Sequence, residues 1–233
     1  MSNRQRMADE ELQVWAYRME AKLPQDVLVL AVENFAGNLV LASSFGAEDV
    51  VLIDMLHKLA PTIPVFYLDT NKHFAETYET RDKLQERYQT KFIQVLPQMT
   101  LAEQEEKHGE KLWETDPNLC CQIRKVEPLQ RVLSGYDAWI TGIRRDQAPT
   151  RAHAKKVEWD DKFNLVKFNP LADWTMDQVW EYIHANQVPY NPLHDRHYPS
   201  IGCSVCTRPV LPGQDPRAGR WAGFDKTECG LHK

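Results

Sequence analysis

The chain has 233 residues, of which 42% are hydrophobic and 26% are charged, and this composition is typical of one ordinary folded domain with a short appended segment. Ten glycines and 14 prolines are too few for a low-complexity chain, and no apolar run approaches the roughly 20 residues of a membrane-spanning helix. The net charge of -5 provides no general attraction to nucleic acid. These numbers exclude fibrous and membrane-spanning proteins and argue against a nucleic-acid partner.

The first 35 residues predict helical structure rather than an export signal. The N-terminus is basic and then acidic where a secretory signal would need an apolar stretch. We therefore expect the protein in the cytoplasm. Residues 10–35 have the pattern of helices with a break near Pro24, because proline ends or kinks a helix.

Short apolar segments alternate with longer amphipathic ones over residues 38–170, and this alternation is typical of βαβ units. We therefore predict an α/β fold with a parallel sheet flanked by helices. Residues 48–60 are apolar on more than one face, which predicts a deeply covered helix, and residues 74–88 have one apolar face. Thr175 is a suitable N-cap for a helix over 175–186. The predicted strands begin at Leu39, Ile63, Phe92, Ala138 and Leu165.

The chain changes character after Asn186, where six prolines and five glycines interrupt any regular pattern. A loop-rich stretch of this length usually carries function or is disordered. We therefore divide the chain into an α/β domain with an N-terminal helical segment, residues 1–186, and a loop-rich C-terminal segment, residues 187–233.

The first predicted strand leads directly into Ser43-Ser-Phe-Gly-Ala-Glu-Asp and then a helix. Small residues at a helix N-terminus let backbone N–H groups bind an anion, so Ser43, Ser44 and Gly46 are candidate phosphate-binding residues. The stretch resembles a degenerate Ser-Gly-Gly-x-Asp-Ser loop of the ATP pyrophosphatase (PP-loop) superfamily. Glu48 and Asp49 would repel a polyphosphate and favour a mononucleotide. The alternative is a plain serine-capped turn.

Asp69 follows the second predicted strand, at the edge of the sheet where ligands of parallel α/β folds bind. Its carboxylate could accept a hydrogen bond from a ribose hydroxyl. The alternative is that Asp69 caps the following helix.

Four of the five cysteines form two local pairs, since Cys120 and Cys121 are adjacent and Cys203 and Cys206 form a C-x-x-C pair. An odd number of cysteines in a chain expected in the cytoplasm argues against a disulfide framework. Adjacent thiolates fit poorly on one zinc ion, whereas the separate irons of a cluster can each take one. The favoured interpretation is an iron–sulfur cluster, with zinc and unliganded thiols as alternatives.

Cys229 is left over near the end of the chain. Lys226 and His232 can lower the pKa of a neighbouring thiol, and Gly230 gives the tail the freedom to travel between a substrate and an external reductant. We interpret Cys229 as a reactive thiol on a mobile tail. The alternative is an incidental exposed cysteine.

Basic residues are concentrated beside these cysteines although the chain is acidic overall. Arginine binds phosphate and sulfate oxygens in bidentate fashion, so this concentration predicts a site for a compact oxyanion. The alternative is solvated surface charge. The candidates are Arg124, Lys125, Arg144, Arg151, Arg217 and Arg220.

Together these motifs resemble the assimilatory adenylyl-sulfate (APS) reductase family. The resemblance rests on residues 43–49, both cysteine pairs, Gly-Ile-Arg-Arg-Asp-Gln-Ala-Pro-Thr-Arg at 142–151, and Glu-Cys-Gly-Leu-His at 228–232. It extends from about residue 38 to residue 232. Asn71 departs from the family pattern, in which many members have glycine at this position.

The resemblance implies an adenine nucleotide alpha hydrolase-like PP-loop fold that binds APS. It implies that Cys229 attacks the sulfur of APS, expels AMP and forms an S-sulfonate, from which thioredoxin or glutaredoxin releases sulfite. His232 would orient or activate Cys229. The four paired cysteines would bind a 4Fe-4S cluster of electrostatic and structural role. The implied oxyanion-binding residues are Lys125, Arg144, Arg151, Arg217 and Arg220. We also expect a homo-oligomer.

Three rival interpretations remain open. A reductase for the 3'-phosphorylated substrate (PAPS) is the nearest, although such enzymes commonly lack the cluster cysteines. A PP-loop tRNA-thiolating enzyme would need a broad RNA-binding surface, and a zinc-stabilised nucleotide-binding module would have no catalysis. We expect a preference for APS, because Asp69 would repel a 3'-phosphate that Lys72 and His73 could attract.

Overall fold

The computed structural model describes residues 9–231, and within them six strands form one sheet. The strand order is β3-β2-β1-β4-β6-β5, and all neighbouring pairs are parallel except β5 with β6. This topology confirms the predicted α/β fold. The strands are β1 (Leu39–Ser43), β2 (Val65–Leu68), β3 (Ile93–Val95), β4 (Ala138–Ile140), β5 (Val157–Asp160) and β6 (Leu165–Phe168).

Helices precede, connect and follow these strands. The predicted break near Pro24 is confirmed, because one helix ends at Met19 and the next begins at Pro24, whose missing N–H costs nothing in a first turn. Thr175 caps the last helix, since its side chain accepts from the Gln178 N–H. The helices are α1 (Asp9–Met19), α2 (Pro24–Phe35), α3 (Ala47–Leu59), α4 (Ala75–Tyr88), α5 (Leu101–His108), α6 (Leu112–Thr115), α7 (Pro117–Cys121), α8 (Glu127–Leu133) and α9 (Met176–Ala185).

The apolar residues of the strands alternate between the two faces of the sheet, as side chains along a strand must. Leu39 and Leu41 of β1 belong to a core cluster that includes residues of α2, α3 and α9, whereas Val40 belongs to a second cluster with Leu129 and Leu133 of α8. Helix α3 is buried on several faces, as predicted, because α2, α9 and the sheet surround it.

The sequence pattern does not predict strand β5. Its sequence, Val157-Glu-Trp-Asp, carries charge and forms an edge strand that pairs with β6 alone. A short antiparallel edge strand needs no continuous apolar run, because one of its sides is open to solvent. The sequence pattern that predicts buried parallel strands therefore does not detect it.

A π-helical turn over Gln122–Val126 connects α7 to α8 directly after the adjacent cysteines. The Glu127 N–H donates to the carbonyl of Gln122, five residues earlier. Pro128 has no N–H for the Arg124 carbonyl, so an uninterrupted α-helix would lose a bond there. Lys125 lies within this wider turn, and such turns are frequent at functional sites.

Residues 187–231 contain only short 3-10 turns and isolated bridges, as their proline and glycine content predicts. The segment returns to the sheet edge, where Cys203 pairs with His73 and the Ser204 N–H donates to the Lys72 carbonyl. The division of the chain at residue 186 stays a prediction. No helix within residues 9–231 is both long and apolar enough to cross a membrane.

Candidate active site

A cavity of about 330 Å³ opens at the carboxyl ends of β1 and β4, which is within the size range of small-molecule sites. Its lining combines the loop after β1, the loop after β4, Lys125 and the C-terminal tail. The structure therefore brings most of the predicted site residues to one cavity. Those that line it are Ser43, Ser44, Gly46, Lys125, Arg144, Arg151, Arg217, Arg220 and Cys229.

The loop between β1 and α3 is held by its own side chains. The Ser43 hydroxyl accepts from the Phe45 N–H at 3.0 Å, and Asp49 accepts from the Ser44 N–H at 2.5 Å and from its hydroxyl at 2.8 Å. Gly46 is the N-cap residue of α3. A side chain at Gly142 would meet Asp49 Oδ1 at 2.3 Å, so the loops after β1 and β4 lie too close for any larger residue there.

Burial raises the pKa of Asp49 to about 6, although the hydrogen bonds from Ser44 oppose this increase. Asp49 is thus less acidic than an exposed aspartate. Its hydrogen bonds fix the position of Ser44 in the candidate phosphate-binding loop. The Ser44 hydroxyl and N–H are both committed to this carboxylate.

Asp69 does not line the cavity. Its carboxylate is 3% exposed and accepts from the Tyr78 hydroxyl at 2.7 Å, the Gln94 amide at 2.7 Å and the Asn71 N–H at 2.8 Å. Burial alone would raise the pKa of Asp69, but these hydrogen bonds hold it below its ordinary value. Asp69 also does not cap α4, whose N-cap is Phe74.

Asn71, the departure from the family pattern, adopts a left-handed backbone with φ of 57°. Asparagine tolerates this conformation better than most residues with a side chain. Its side-chain oxygen accepts from Arg124 at 2.9 Å, and Arg124 also donates to the Thr70 carbonyl at 2.8 Å. Arg124 therefore braces the loop after β2 rather than facing the cavity.

The two cysteine pairs approach each other from different parts of the fold. Cys120 and Cys121 end α7, and Cys203 is fixed near the end of β2, where its sulfur lies 3.3 Å from the Thr70 hydroxyl. Cys206 is the last residue of a short 3-10 turn, and its carbonyl accepts from the Trp221 N–H at 3.0 Å. All the cysteines are free thiols.

The electrostatics of the paired thiols show that they are close neighbours. Burial and the charges of Cys121, Cys203 and Cys206 raise the pKa of Cys120 to about 12, and burial with Cys203 raises that of Cys206 to about 11. Burial would also raise the pKa of Cys203, but Lys125 and the Thr70 hydroxyl lower it. No group of three or more Cys, His, Asp and Glu side chains within residues 9–231 is arranged to hold a metal ion.

Lys125 lies near Cys121, Cys203 and Cys229. Burial would lower the pKa of its ammonium group, but the negative charges of Cys203, Cys229 and Cys121 raise it above its ordinary value. Lys125 is therefore held in its charged form, where it can stabilise a thiolate or an oxyanion in the cavity.

Of the four candidate arginines that line the cavity, three form ion pairs with carboxylates of the protein. Arg144 is 3% exposed and donates to Glu48 at 2.9 Å, and it also contacts Asp146. Arg151 binds Glu228 through two nitrogens, at 2.8 and 2.9 Å, and Arg217 donates to the same carboxylate at 3.2 Å.

Arg220 differs from the other three candidate arginines. Its guanidinium lies 4.6 Å from the centre of the Trp221 ring, and one terminal nitrogen donates to the Ser200 hydroxyl at 3.1 Å. The Nε of Arg220 is buried and has no hydrogen-bond partner in the described part of the chain. Arg220 lines the cavity, and a buried donor without a partner costs free energy that a bound ligand could offset.

The tail is docked in this structure. Cys229 is half-buried and lines the cavity, the carbonyl of Gly230 accepts from Lys162, and Leu231 packs against the core cluster around Trp139. The sequence predicts a mobile tail, and these contacts give it a defined resting position. His232, the other tail candidate, lies outside the described residues.

Two cavity residues were not anticipated from the sequence. In the sequence, Glu228 stands out only as part of the Glu-Cys-Gly-Leu-His motif. Its position next to Cys229 is the feature that could have identified it as a site residue. His194 lies in the loop-rich segment, lines the cavity and packs 5.2 Å from the Trp180 ring. Its Nε2 is buried without a partner among residues 9–231, and burial lowers its pKa.

The parallel sheet, the loop after β1 and the cavity at the strand ends together define an adenine nucleotide alpha hydrolase-like (PP-loop) fold. Residues 38–209 match the phosphoadenosine phosphosulfate reductase domain family. The chain belongs to this family, and the resemblance predicted from the motifs is confirmed.

Named relatives agree with this assignment. The chain is 53% identical over 209 residues to adenosine 5'-phosphosulfate reductase 2 of Bacillus subtilis, covering 89% of each chain. It is 49% identical over 218 residues to adenosine 5'-phosphosulfate reductase of Halalkalibacterium halodurans, covering 92% of this chain and 94% of the relative. The crystal structure of PAPS reductase from Candida auris, a phosphate complex, has a TM-score of 0.76 and 34% identity, covering 85% of this chain and 96% of that one.

Proposed function

We propose that the protein reduces adenosine 5'-phosphosulfate to sulfite and AMP, a step of sulfate assimilation that supplies cysteine biosynthesis. The observation that carries the proposal is the position of Cys229, which faces one cavity with the loop after β1, Lys125 and Arg220. The relatives with about half of their residues identical are named for the same substrate.

The chemistry follows from a thiolate beside two cations. Cys229 attacks the sulfur of APS, a sulfur–sulfur bond forms, and the bond from sulfur to the phosphate oxygen breaks so that AMP leaves. Lys125 and Arg220 offset the negative charge that develops on the sulfate and phosphate oxygens. Because both Ser44 donors are committed to Asp49, the nucleotide phosphate is bound by backbone N–H groups at the N-terminus of α3.

A thiol of thioredoxin or glutaredoxin completes the proposed reaction. It attacks the sulfur of Cys229, releases sulfite and forms a mixed disulfide, which a second thiol of the same reductant resolves. The two electrons thus come from the reductant's dithiol. We propose the cytoplasm as the compartment, because thioredoxin and glutaredoxin keep thiols reduced there.

We also propose that Cys120, Cys121, Cys203 and Cys206 bind a 4Fe-4S cluster. The support is the donor set: four free thiols in two pairs, in which burial and the neighbouring cysteines raise the pKa of Cys120 and of Cys206. The described residues do not have these thiols gathered as a finished metal site, so binding the cluster would bring the two pairs together. When bound, the cluster would supply a cationic iron–sulfur core for these thiolates. Because Lys125 interacts with the charges of both Cys203 and Cys229, we propose that the cluster would have an electrostatic and structural role at the site.

Iron content tests the ligand assignment. Cys121→Ala should lose iron and the visible absorbance of the cluster, because one of four ligands is removed. Cys229→Ser is the matched control and should retain both. Full iron content in Cys121→Ala would make the assignment wrong.

Mass spectrometry tests the catalytic thiol. Protein incubated with APS and no reductant should gain a sulfonate group on the peptide that contains Cys229, because the second step cannot proceed. Cys229→Ser should bind nucleotide but gain no adduct. An adduct on another cysteine would contradict the proposed mechanism.

PAPS reduction is the second candidate, because the Candida auris relative is a PAPS reductase. Lys72 was the residue predicted to attract a 3'-phosphate. Its ammonium lies 4.5 Å from the centre of the Trp113 ring, and Lys72 does not line the cavity. His73, which was also predicted to attract a 3'-phosphate, does line the cavity, whereas Asp69 does not. APS is the favoured substrate because the relatives with about half of their residues identical are named for it.

A further inference from the structure

The residue before the reactive cysteine is a buried carboxylate with an unusual number of partners. Glu228 is 7% exposed, and Arg151 binds both of its oxygens. Arg217 donates to Oε2 at 3.2 Å, and the Thr150 hydroxyl donates to Oε1 at 3.1 Å. A buried carboxylate is stable only when its charge is paired and hydrogen-bonded, and this one is.

The partners of Glu228 come from two separate parts of the chain. Thr150 and Arg151 belong to the loop after β4, and Arg217 belongs to the loop-rich C-terminal segment. Burial alone would raise the pKa of Glu228, but hydrogen bonds from Arg151 and the charges of Arg151 and Arg217 hold it below its ordinary value. The carboxylate is therefore charged and joins the tail to both parts.

The effect on the adjacent thiol is geometric. Consecutive Cα atoms are about 3.8 Å apart, so fixing the side chain of Glu228 restricts the positions that Cys229 can reach. Beyond Cys229, the Gly230 carbonyl accepts from Lys162 and Leu231 packs into the core. The Cys229 thiol therefore lies between two fixed parts of the tail, Glu228 on one side and residues 230–231 on the other. It lines the same cavity as Lys125.

We propose that Glu228 is a positioning residue: its carboxylate, clamped by Arg151 and Arg217, holds the tail in the register that presents Cys229 to the cavity. The inference rests on the proposed function for its catalytic consequence. It also divides the basic residues into two groups, with Arg151 and Arg217 serving the tail while Lys125 and Arg220 serve the oxyanion.

A competing reading of the same contacts makes a different kinetic prediction. If Glu228 merely occupied a site that the oxyanion needs, removing its charge would lower KM and leave kcat unchanged. A positioning role instead lowers kcat with little change in KM, because the substrate still binds while the thiol is misplaced.

The first test needs no nucleotide. We would measure the rate at which iodoacetamide alkylates Cys229 in the iron-loaded protein, with the labelled peptide identified by mass spectrometry. Glu228→Gln should raise this rate about tenfold or more, because charge-assisted bonds that hold the tail are lost. Glu228→Asp keeps the charge and should restore most of the protection.

The second test uses APS at saturation in a single turnover. Formation of the Cys229 S-sulfonate should slow about tenfold or more in Glu228→Gln, with KM changed less than about threefold, and Glu228→Asp should recover part of the rate. Asp225→Asn, an exposed acidic residue of the same tail, is the matched control and should change neither rate. Iron content and unfolding midpoint establish that each variant is folded.

Four outcomes are decisive. Unchanged alkylation and unchanged kcat in Glu228→Gln would overturn the inference, and so would a lower KM with kcat retained. Increased alkylation in Glu228→Gln, with recovery in Glu228→Asp, supports the positioning role. If wild-type protein forms no adduct from APS, the proposed function fails, while the alkylation result still decides whether Glu228 holds Cys229 in place.

Discussion

Asp49 has its carboxyl group in the first turn of α3, where it accepts two hydrogen bonds from Ser44. Its folded-state pKa of about 6 lies above the ordinary value of 3.8 because the group is desolvated. The folded protein therefore binds this proton more tightly than the unfolded chain does. Linkage requires that the stability contributed by Asp49 is greatest below about pH 4 and is lost as the pH rises through about 6.

Asp49→Asn should remove this dependence. The unfolding free energy of the variant minus that of wild type should increase by up to about 3 kcal/mol between pH 4 and pH 7, since each pKa unit corresponds to about 1.4 kcal/mol. Urea unfolding at several pH values gives this difference. A difference that stays constant with pH would show that burial does not perturb Asp49.

Arg220 is the arginine of the cavity with an unused buried donor. Arg220→Ala should lower kcat/KM for APS by about ten- to a hundredfold, because one charge-assisted contact with the oxyanion contributes about 1.5 to 3 kcal/mol. Arg196→Ala, a mostly exposed arginine paired with Glu76, serves as the control. Equal efficiency of Arg220→Ala and wild type would assign Arg220 to a structural role.

At the scale of elements, the ion pair between Arg144 and Glu48 joins the loop after β4 to the first turn of α3. Both side chains are largely buried, with 3% and 13% exposed. The Gln147 amide donates to the same oxygen of Glu48 at 2.8 Å. The pair thus fixes one wall of the cavity, and the arginine donates to protein groups rather than to solvent.

Arg144→Met should therefore lower the unfolding free energy by about 3 kcal/mol, because a largely buried carboxylate is left without its partner. The equivalent change at the exposed pair, Arg196→Met, should cost less than about 1 kcal/mol. Urea unfolding of both variants measures the contrast. If Arg144→Met kept wild-type stability and lost only nucleotide affinity, Arg144 would be a ligand-binding residue and not a brace.

The elements that the sequence predicts are those whose signal is local. The buried strands β1, β2, β4 and β6 consist mostly of apolar residues, and Thr175 is a capping residue with glutamine three positions later. The π-helical turn at Gln122–Val126 was not predicted, because it depends on how Pro128 interrupts a helix that also carries adjacent cysteines. Periodicity does not contain that information.

The candidate site shows the same limit. Sequence motifs identify which residues gather at the cavity, because loops after parallel strands share one edge of the sheet. They do not reveal which partner each charge takes. Arg151 pairs with a residue 77 positions away, Glu228, and Asp69 is enclosed by Tyr78 and Gln94. Such pairings are decided by the tertiary fold.

At the scale of the whole molecule, the loop-rich segment has two tasks. It carries Cys203 and Cys206 to the end of β2, and it returns Cys229 to the cavity past Trp221. Cys121, Cys203 and Cys229 thus all interact with Lys125, although Cys121 lies more than 100 residues before Cys229 in the chain. The predicted homo-oligomer stays a prediction, which light scattering on the purified protein can test.

The central claim is that this arrangement reduces APS through Cys229. Steady-state sulfite release, measured with thioredoxin as reductant and with APS and PAPS in parallel, tests it most directly. We predict a higher kcat/KM for APS than for PAPS and no sulfite from Cys229→Ser with either nucleotide. Comparable or higher efficiency on PAPS, or sulfite release that persists in Cys229→Ser, would contradict the account.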